Sequence, residues 1–167
     1  MRTDLLTQLK NLFQTDSGFT ISFEGLKVVS EANIGASELE LQKMSSYLSY
    51  TPPEEYIEFL RNFNGCDIFR YDNIDGFSFL STQKVIQTNH NLKEEYGTDW
   101  DNNIIVFCEC IGEGNYIGFR AKNQKNYEIV DCFHEYLPSE WKNISFSLES
   151  FLENLLNSKG KKFWLSD

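Results

Sequence analysis

The sequence predicts an α+β domain in which a mainly antiparallel β-sheet is wrapped by several α-helices. Segments whose apolar residues recur at helical spacing are interspersed with short strand-like segments. The turns between the later strands are short, which favours antiparallel pairing, since parallel strands need long crossovers. Aromatic residues make up 15% of the chain, which predicts a core filled with rings. A length of 167 residues fits one domain, and we assign residues 1–167 to it.

The N-terminal part is predicted to form a helix, a hairpin and a second helix. Leucines at helical spacing predict an amphipathic helix over residues 3–14. In residues 19–23, apolar side chains alternate with hydroxyl side chains, which indicates a short strand. Gly25 allows a turn into a partner strand at residues 27–30. The second helix is predicted over residues 37–48.

Residues 51–54, Thr-Pro-Pro-Glu, form a good start for a third helix. Thr51 can cap the helix, proline fits its first turn, and Glu54 follows the cap by three residues. Asn64 and Gly65 should end it, because both residue types accept the left-handed conformation. The side chains expected on its buried face are Tyr56, Ile57, Phe59, Leu60 and Phe63.

The middle of the chain predicts a second hairpin and a long helix. Residues 66–71 and 77–80 are rich in β-forming side chains and flank a polar turn at residues 72–76. Ser81 is suited to capping the next helix, which should stop at Gly97. The apolar side chains of this helix are Val85, Leu92 and Tyr96.

The C-terminal part predicts three more strands and a last helix. The apolar run at residues 104–108 is typical of a buried strand. Strands at residues 116–119 and 127–133 follow after polar turns. Leucine and phenylalanine at helical spacing predict a helix over residues 148–156, capped by Ser147.

The charge balance is strongly acidic. Fifteen Lys and Arg oppose 25 Asp and Glu, for a net charge of −10. Residues 94–140 contain ten acidic and three basic residues, which is most of this excess, whereas the C-terminal tail is basic at Lys159, Lys161 and Lys162. An acidic chain repels nucleic acids and anionic membranes, so neither is expected as a direct partner. It would steer toward basic partners, although acidity also serves solubility alone.

The chain is expected to reside in the cytoplasm. Polar residues interrupt the apolar run near the N-terminus, unlike the pattern of a signal peptide. No stretch approaches the roughly 18–20 apolar residues of a membrane span. The four cysteines should therefore be reduced; they are Cys66, Cys108, Cys110 and Cys132.

The cysteine spacing does not favour a metal site. Cys108 and Cys110 are two residues apart, so on a strand both face one side. Zinc sites prefer two to four residues between paired cysteines and a matching second pair. We therefore predict four core thiols, no metal and no cofactor.

Histidine chemistry has little support in the sequence. Only His90 and His134 are present, and His134 lies close to Asp131 and Cys132. Neighbouring residues of a strand point to opposite faces, which argues against a Cys-His pair. A hydrolase that uses His134 with Asp131 or Cys132 remains one hypothesis. A surface or packing histidine is the preferred one, and we predict that the protein is not an enzyme.

The glycines near residue 113 do not complete a nucleotide-binding motif. Gly112 and Gly114 lack the third glycine of the dinucleotide fingerprint and the lysine of a P-loop. Glu113 between them would repel a phosphate. A tight turn between two strands explains these glycines better.

Three blocks of the sequence resemble the SUKH (Smi/Knr-type) superfamily. Residues 51–65, TPPEEYIEFLRNFNG, are similar to its signature of Leu-Pro, Tyr, Phe-Leu and Asn-Gly-Gly. Residues 105–119 resemble its second block, and residues 146–152 resemble its closing Ser-Phe-x-x-Phe-Leu block. The blocks occur in the family order and cover about residues 35–157. The N-terminal helix and hairpin and the lysine-containing tail are extensions.

The resemblance implies an α+β fold and a binding function. Bacterial members are mostly immunity proteins that neutralise a cognate toxin, often a nuclease, and fungal relatives act as adaptors in signalling. The main hypothesis is therefore an immunity protein whose toxin partner has a basic surface. The alternative is a non-enzymatic regulatory or scaffold module that binds an endogenous protein. The oligomeric state is left open.

Ten residues are predicted to face the partner. Acidic side chains can mimic the charge of a nucleic acid on a basic surface, and aromatic side chains often anchor interfaces. The acidic candidates are Asp72, Asp75, Asp99, Asp101, Glu109, Glu113 and Glu135, and the aromatic candidates are Tyr71, Trp100 and Tyr116.

Overall fold

The computed structural model describes residues 1–123 and 126–165. In that part of the chain, eight strands form one antiparallel sheet in sequential order. The strands are β1 (Thr20–Ile21), β2 (Lys27–Ala32), β3 (Cys66–Tyr71), β4 (Asp75–Phe79), β5 (Ile104–Cys110), β6 (Asn115–Ala121), β7 (Tyr127–Cys132) and β8 (Lys142–Ser145). The helices are α1 (Thr3–Phe13), α2 (Glu38–Tyr47), α3 (Glu54–Asn62), α4 (Thr82–Tyr96) and α5 (Leu148–Asn157). The predicted α+β class and antiparallel pairing are confirmed.

Serine caps set the starts of three helices. Ser37 precedes α2, and its hydroxyl accepts from the backbone N–H of Glu40 while the Glu40 carboxylate accepts from the Ser37 N–H. Ser81 and Ser147 likewise accept from backbone N–H groups in the first turns of α4 and α5. These contacts satisfy N–H groups that a helix start otherwise leaves free. The predicted caps at Ser81 and Ser147 are confirmed.

The structure corrects three details of the sequence prediction. Thr51 does not cap α3, because Pro53 occupies the cap position and makes no side-chain hydrogen bond there. Phe23 lies beyond β1, since the Gly25 N–H donates to the Ser22 carbonyl and closes a turn early. Strand β8 was not predicted, because its sequence, Lys-Asn-Ile-Ser, lacks an alternating apolar pattern.

The core lies between one face of the sheet and helices α3 and α5. The rings of Phe107 and Phe119 stack with centroids 4.1 Å apart. Tyr56 of α3 packs 5.2 Å from Phe119, and Phe151 of α5 packs 6.3 Å from Phe107. All four side chains are fully buried, which confirms the predicted aromatic core. All five residues predicted for the buried face of α3, including Phe63 just beyond its end, are buried.

Helix α4 supplies hydrogen bonds to β5 at a position that the neighbouring strand β4 does not reach. Strand β4 pairs only with residues 108–110 of β5, so the backbone at Val106 has no β4 partner. The Val106 N–H donates to the Asn89 side-chain oxygen, and the Asn89 amide donates to the Val106 carbonyl, both at 2.8 Å. Asn89 is 6% exposed. Its amide thus substitutes for the backbone of a neighbouring strand residue.

We expect Asn89→Ala to lower the free energy of unfolding by about 2–4 kcal/mol, because it leaves two buried backbone groups of Val106 without partners. Urea denaturation monitored by circular dichroism measures this change. Asn91→Ala is the matched control, since Asn91 is exposed on the same helix, and its effect should stay within about 0.5 kcal/mol. Equal effects of the two substitutions would contradict the role given to Asn89.

Candidate functional site

The sheet presents a row of polar side chains on the face that α3 and α5 do not cover. Phe77 and Phe79 of β4 point into the core, so Ser78 between them points to the opposite face. The register places one residue from each of β2, β3, β4, β5 and β6 next to its neighbour on this face. These residues are Glu31, Asp67, Ser78, Glu109 and Tyr116, which together we call the open face. Glu31 is exposed and the other four are half-buried.

A register break in β5 turns Glu109 toward the open face. Strand β5 shifts between Val106 and Cys108, where it pairs with β6. Without the shift, Phe107 and Glu109 would lie on the same face, because residues two apart on a regular strand share one. With it, Phe107, Cys108 and Cys110 are all buried, and Glu109 lies beside Tyr116.

The two ends of the open face differ in charge balance. Arg70 bridges the carboxylates at one end, with its guanidinium 2.7 Å from Glu31 and 3.0 Å from Asp67. At the other end, burial raises the pKa of the Tyr116 hydroxyl, and the carboxylates of Glu109 and Glu95 raise it further. Glu109 forms no ion pair within residues 1–123 and 126–165. The negative charge is therefore least compensated around Glu109.

The ten predicted partner-facing residues fall at three places, and only Glu109 and Tyr116 belong to the open face. A second group lies at the sheet end where the β3–β4 and β5–β6 turns meet, since the Ile111 N–H donates to the Gly76 carbonyl. This turn end carries Tyr71, Asp72, Asp75 and Glu113, with Glu135 in the loop after β7. The third group, Asp99, Trp100 and Asp101, precedes β5 at the opposite end of the sheet. The open face thus gathers only a fifth of the predicted set.

Trp100 is a core residue and not a surface anchor. It is 9% exposed, and its ring lies 6.2 Å from both Tyr96 and Trp141. Burial of a large ring in an aromatic cluster contributes to stability and leaves little area for a partner. The other nine residues stay predictions.

The sequence analysis missed several residues of the site. Asp67 lies between the buried residues Cys66 and Ile68 of β3, and this strand alternation was a signal that could have marked it. Glu31 and Glu95 carry no comparable local signal. Their places depend on the pairing of β2 with β3 and on the docking of α4.

His134 has partners other than those of the hydrolase hypothesis. Its Nδ1 lies 2.7 Å from the side-chain oxygen of Asn115, and its backbone N–H donates to the same oxygen at 3.0 Å. The carboxylate of Asp131 accepts from the indole N–H of Trp164 at 2.8 Å. Among the described residues, no hydrogen bond joins His134 to Asp131 or Cys132. Burial also raises the pKa of the Cys132 thiol well above its usual value.

All four cysteines are free and buried, which confirms the prediction of core thiols. Over the part of the chain that the structure describes, no group of three or more His, Cys, Asp and Glu side chains is placed to hold a metal ion. The longest described helix, α4, has 15 residues, and none of the described helices is long and apolar enough to cross a membrane. Lys125, one of the three basic residues of the acidic stretch, lies outside the described residues.

We expect the native protein to react slowly with a disulfide reagent such as Ellman's reagent at pH 8. Burial blocks access and raises the thiol pKa, to about 12 for Cys110, so little thiolate is present. After unfolding in guanidinium, all four thiols should react rapidly. Absorbance of the released chromophore follows the reaction. One fast-reacting thiol in the native protein would contradict the purely structural role of the cysteines.

Comparison with known proteins adds one match. The model of the SMI1 / KNR4 family (SUKH-1) matches residues 35–154. No curated protein matches the chain. The matched region begins before α2 and ends within α5, so it contains every residue of the open face except Glu31. It leaves out α1, β1, β2 and the C-terminal segment.

Proposed function

The chain belongs to the SMI1 / KNR4 family (SUKH-1), and from that premise we propose that it is an immunity protein that binds and neutralises a bacterial toxin. In this proposal it acts in the cytoplasm as a binding protein and not as an enzyme. The toxin we propose is of the nuclease type, because such enzymes hold nucleic acid on a basic surface. The open face supplies the contact.

The observation that carries the proposal is the alignment of three carboxylates across the open face. Glu31, Asp67 and Glu109 lie on successive paired strands with one intervening serine, Ser78. At one end, Arg70 compensates part of the negative charge of Glu31 and Asp67. The carboxylate of Glu109 has no such ion pair among the described residues. Neighbouring strands are about 4.8 Å apart, so Asp67 lies one strand spacing from Glu31 and two from Glu109. The three carboxylates thus present a row of negative charge to a basic groove that holds a phosphate backbone.

The overall charge supports the same partner. A net charge of −10 attracts a basic protein over distances of about one Debye length, near 8 Å at physiological salt. Complementary charge raises the association rate more than it raises the affinity. Rapid capture suits an inhibitor that has to reach a toxin before the toxin reaches its substrate.

Co-expression tests the proposal. The chain is produced together with the product of a toxin gene that neighbours its own gene, and growth and co-purification are measured. Growth rescue with a stable complex is the expected result. A toxic neighbour that forms no complex and kills the cells would overturn the immunity function and favour a regulatory or scaffold module.

We expect Asp67→Asn combined with Glu109→Gln to slow association with the toxin about tenfold at low salt. The substitutions remove two of the three aligned carboxylates and leave Arg70 without its Asp67 partner. Stopped-flow or surface-plasmon measurements over a range of salt concentrations give the rate and its salt dependence.

The control is Asp4→Asn combined with Asp16→Asn. Both residues are exposed and lie away from the open face, and the change in net charge is the same. If the two double variants slow association equally, net charge alone steers the encounter and the open face has no specific part in it.

A further inference from the structure

A second surface lies at the turn end of the sheet, where four separate segments of the chain border an open groove of about 500 Å³. The β1–β2 turn contributes one wall and the C-terminal segment after α5 contributes the other. The β3–β4 and β5–β6 turns also line the groove. The residues that matter for its chemistry are Phe23, Glu24, Ile74, Asp75, Lys161 and Leu165, and we call it the turn-end groove.

The wall formed by the C-terminal segment is fixed to the sheet and to α5. The indole N–H of Trp164 donates to Asp131 of β7, and its ring packs 6.2 Å from Phe77 and 5.8 Å from Phe151. Lys162 forms an ion pair with Glu113 in the β5–β6 turn. These contacts hold the C-terminal segment in place, so the groove exists before any partner binds.

The two walls also contact each other and the sheet closely. The Phe23 N–H donates to the Lys159 carbonyl at 3.1 Å. Gly160 turns the chain with a φ of +87°, and a Cβ on it would lie 2.9 Å from the Cβ of Phe69. Glycine is therefore required for this approach, and the groove is a built feature of the fold.

Three large apolar side chains that are far apart in the sequence line the groove. Phe23 is 45% exposed, Ile74 64% and Leu165 66%. Single exposed apolar residues are ordinary, whereas a cluster rimmed by charges is typical of an interaction site. An apolar side chain from a partner would remove this cluster from water.

The unpaired charge of the groove is negative. Lys162 neutralises Glu113, but Glu24 and Asp75 form no ion pair within residues 1–123 and 126–165. Lys161 is the one unpaired cation among the described lining residues. Two carboxylates beside an apolar cluster complement a lysine or arginine next to an apolar side chain.

We propose that the turn-end groove is a second docking site, which takes an extended segment of a protein partner with an apolar side chain next to a lysine or arginine. The proposal rests on the proposed function only in taking this chain to be a protein-binding protein. Phe23, Glu24 and residues 160–165 lie outside the region matched by the family, residues 35–154. The groove is thus built largely by this chain's own extensions, and in our proposal it determines which partner the chain accepts.

Selection from a displayed library of random twelve-residue peptides on the full chain tests the groove without a known partner. Expected are peptides that share an apolar residue beside a lysine or arginine. Their affinity, measured by fluorescence anisotropy, should fall about tenfold or more in Ile74→Asp, the effect of losing an anchoring contact. Ile34→Asp is the matched control, since Ile34 is 93% exposed outside the groove, and binding to it should be unchanged.

The charge is tested by Glu24→Gln combined with Asp75→Asn, which should remove the preference for a basic residue and keep that for an apolar one. The proposed docking site would be contradicted by a library that yields no binders. Binders whose affinity falls equally in Ile74→Asp and Ile34→Asp would contradict it as well. Circular dichroism confirms that each variant is folded.

The two proposals fail separately. If the chain rescues growth but the selection gives no groove-dependent peptide, the groove is not a docking site and the immunity function still holds. Groove-dependent peptides from a chain that does not rescue growth would overturn the immunity function and support the groove as the site of another protein partner.

Discussion

At Val106 the backbone of β5 has no strand on the side of β4, and the amide of Asn89 supplies both hydrogen bonds that a strand would give. Next to this contact, β5 shifts its register against β6. The shift lets Phe107 and Cys108, which are neighbours in the chain, both enter the core. It also turns Glu109 outward, so one irregularity determines both the ring packing and the charged row on the opposite face.

Local signals in the sequence were sufficient for most elements but not for this irregularity. Ser81 and Gly97 bound α4 as predicted, because caps act within one turn of the helix. Strand β8 and the bulge in β5 depend on contacts with β7 and α4 that are distant in the sequence. The acidity of Glu109 was visible, but its alignment with Asp67 and Glu31 requires the register of three strand pairs. Trp100, which lies in a polar segment, was predicted to be an exposed anchor. The structure buries it against Trp141, which is 41 positions away in the sequence.

The two surfaces are suited to different parts of binding. The open face consists of carboxylates, a serine and a half-buried tyrosine, and exposed charges act mainly on the encounter. The turn-end groove has three apolar side chains on fixed walls, and buried apolar contacts mainly lengthen the lifetime of a complex. A partner that engaged both would be captured by charge and retained by apolar contact.

The position of the basic tail supports this separation. Three lysines so close to an acidic sheet end could have neutralised it, but Lys162 pairs with Glu113, whereas Glu24 and Asp75 keep their charge. The same ion pair holds the segment that carries Leu165 into the groove. The lysine therefore serves to place an apolar wall, and the remaining carboxylates stay available at its rim. Because the walls come from outside the family-matched region and the open face largely from inside it, a relative could keep the steering surface while its extensions change the partner it retains.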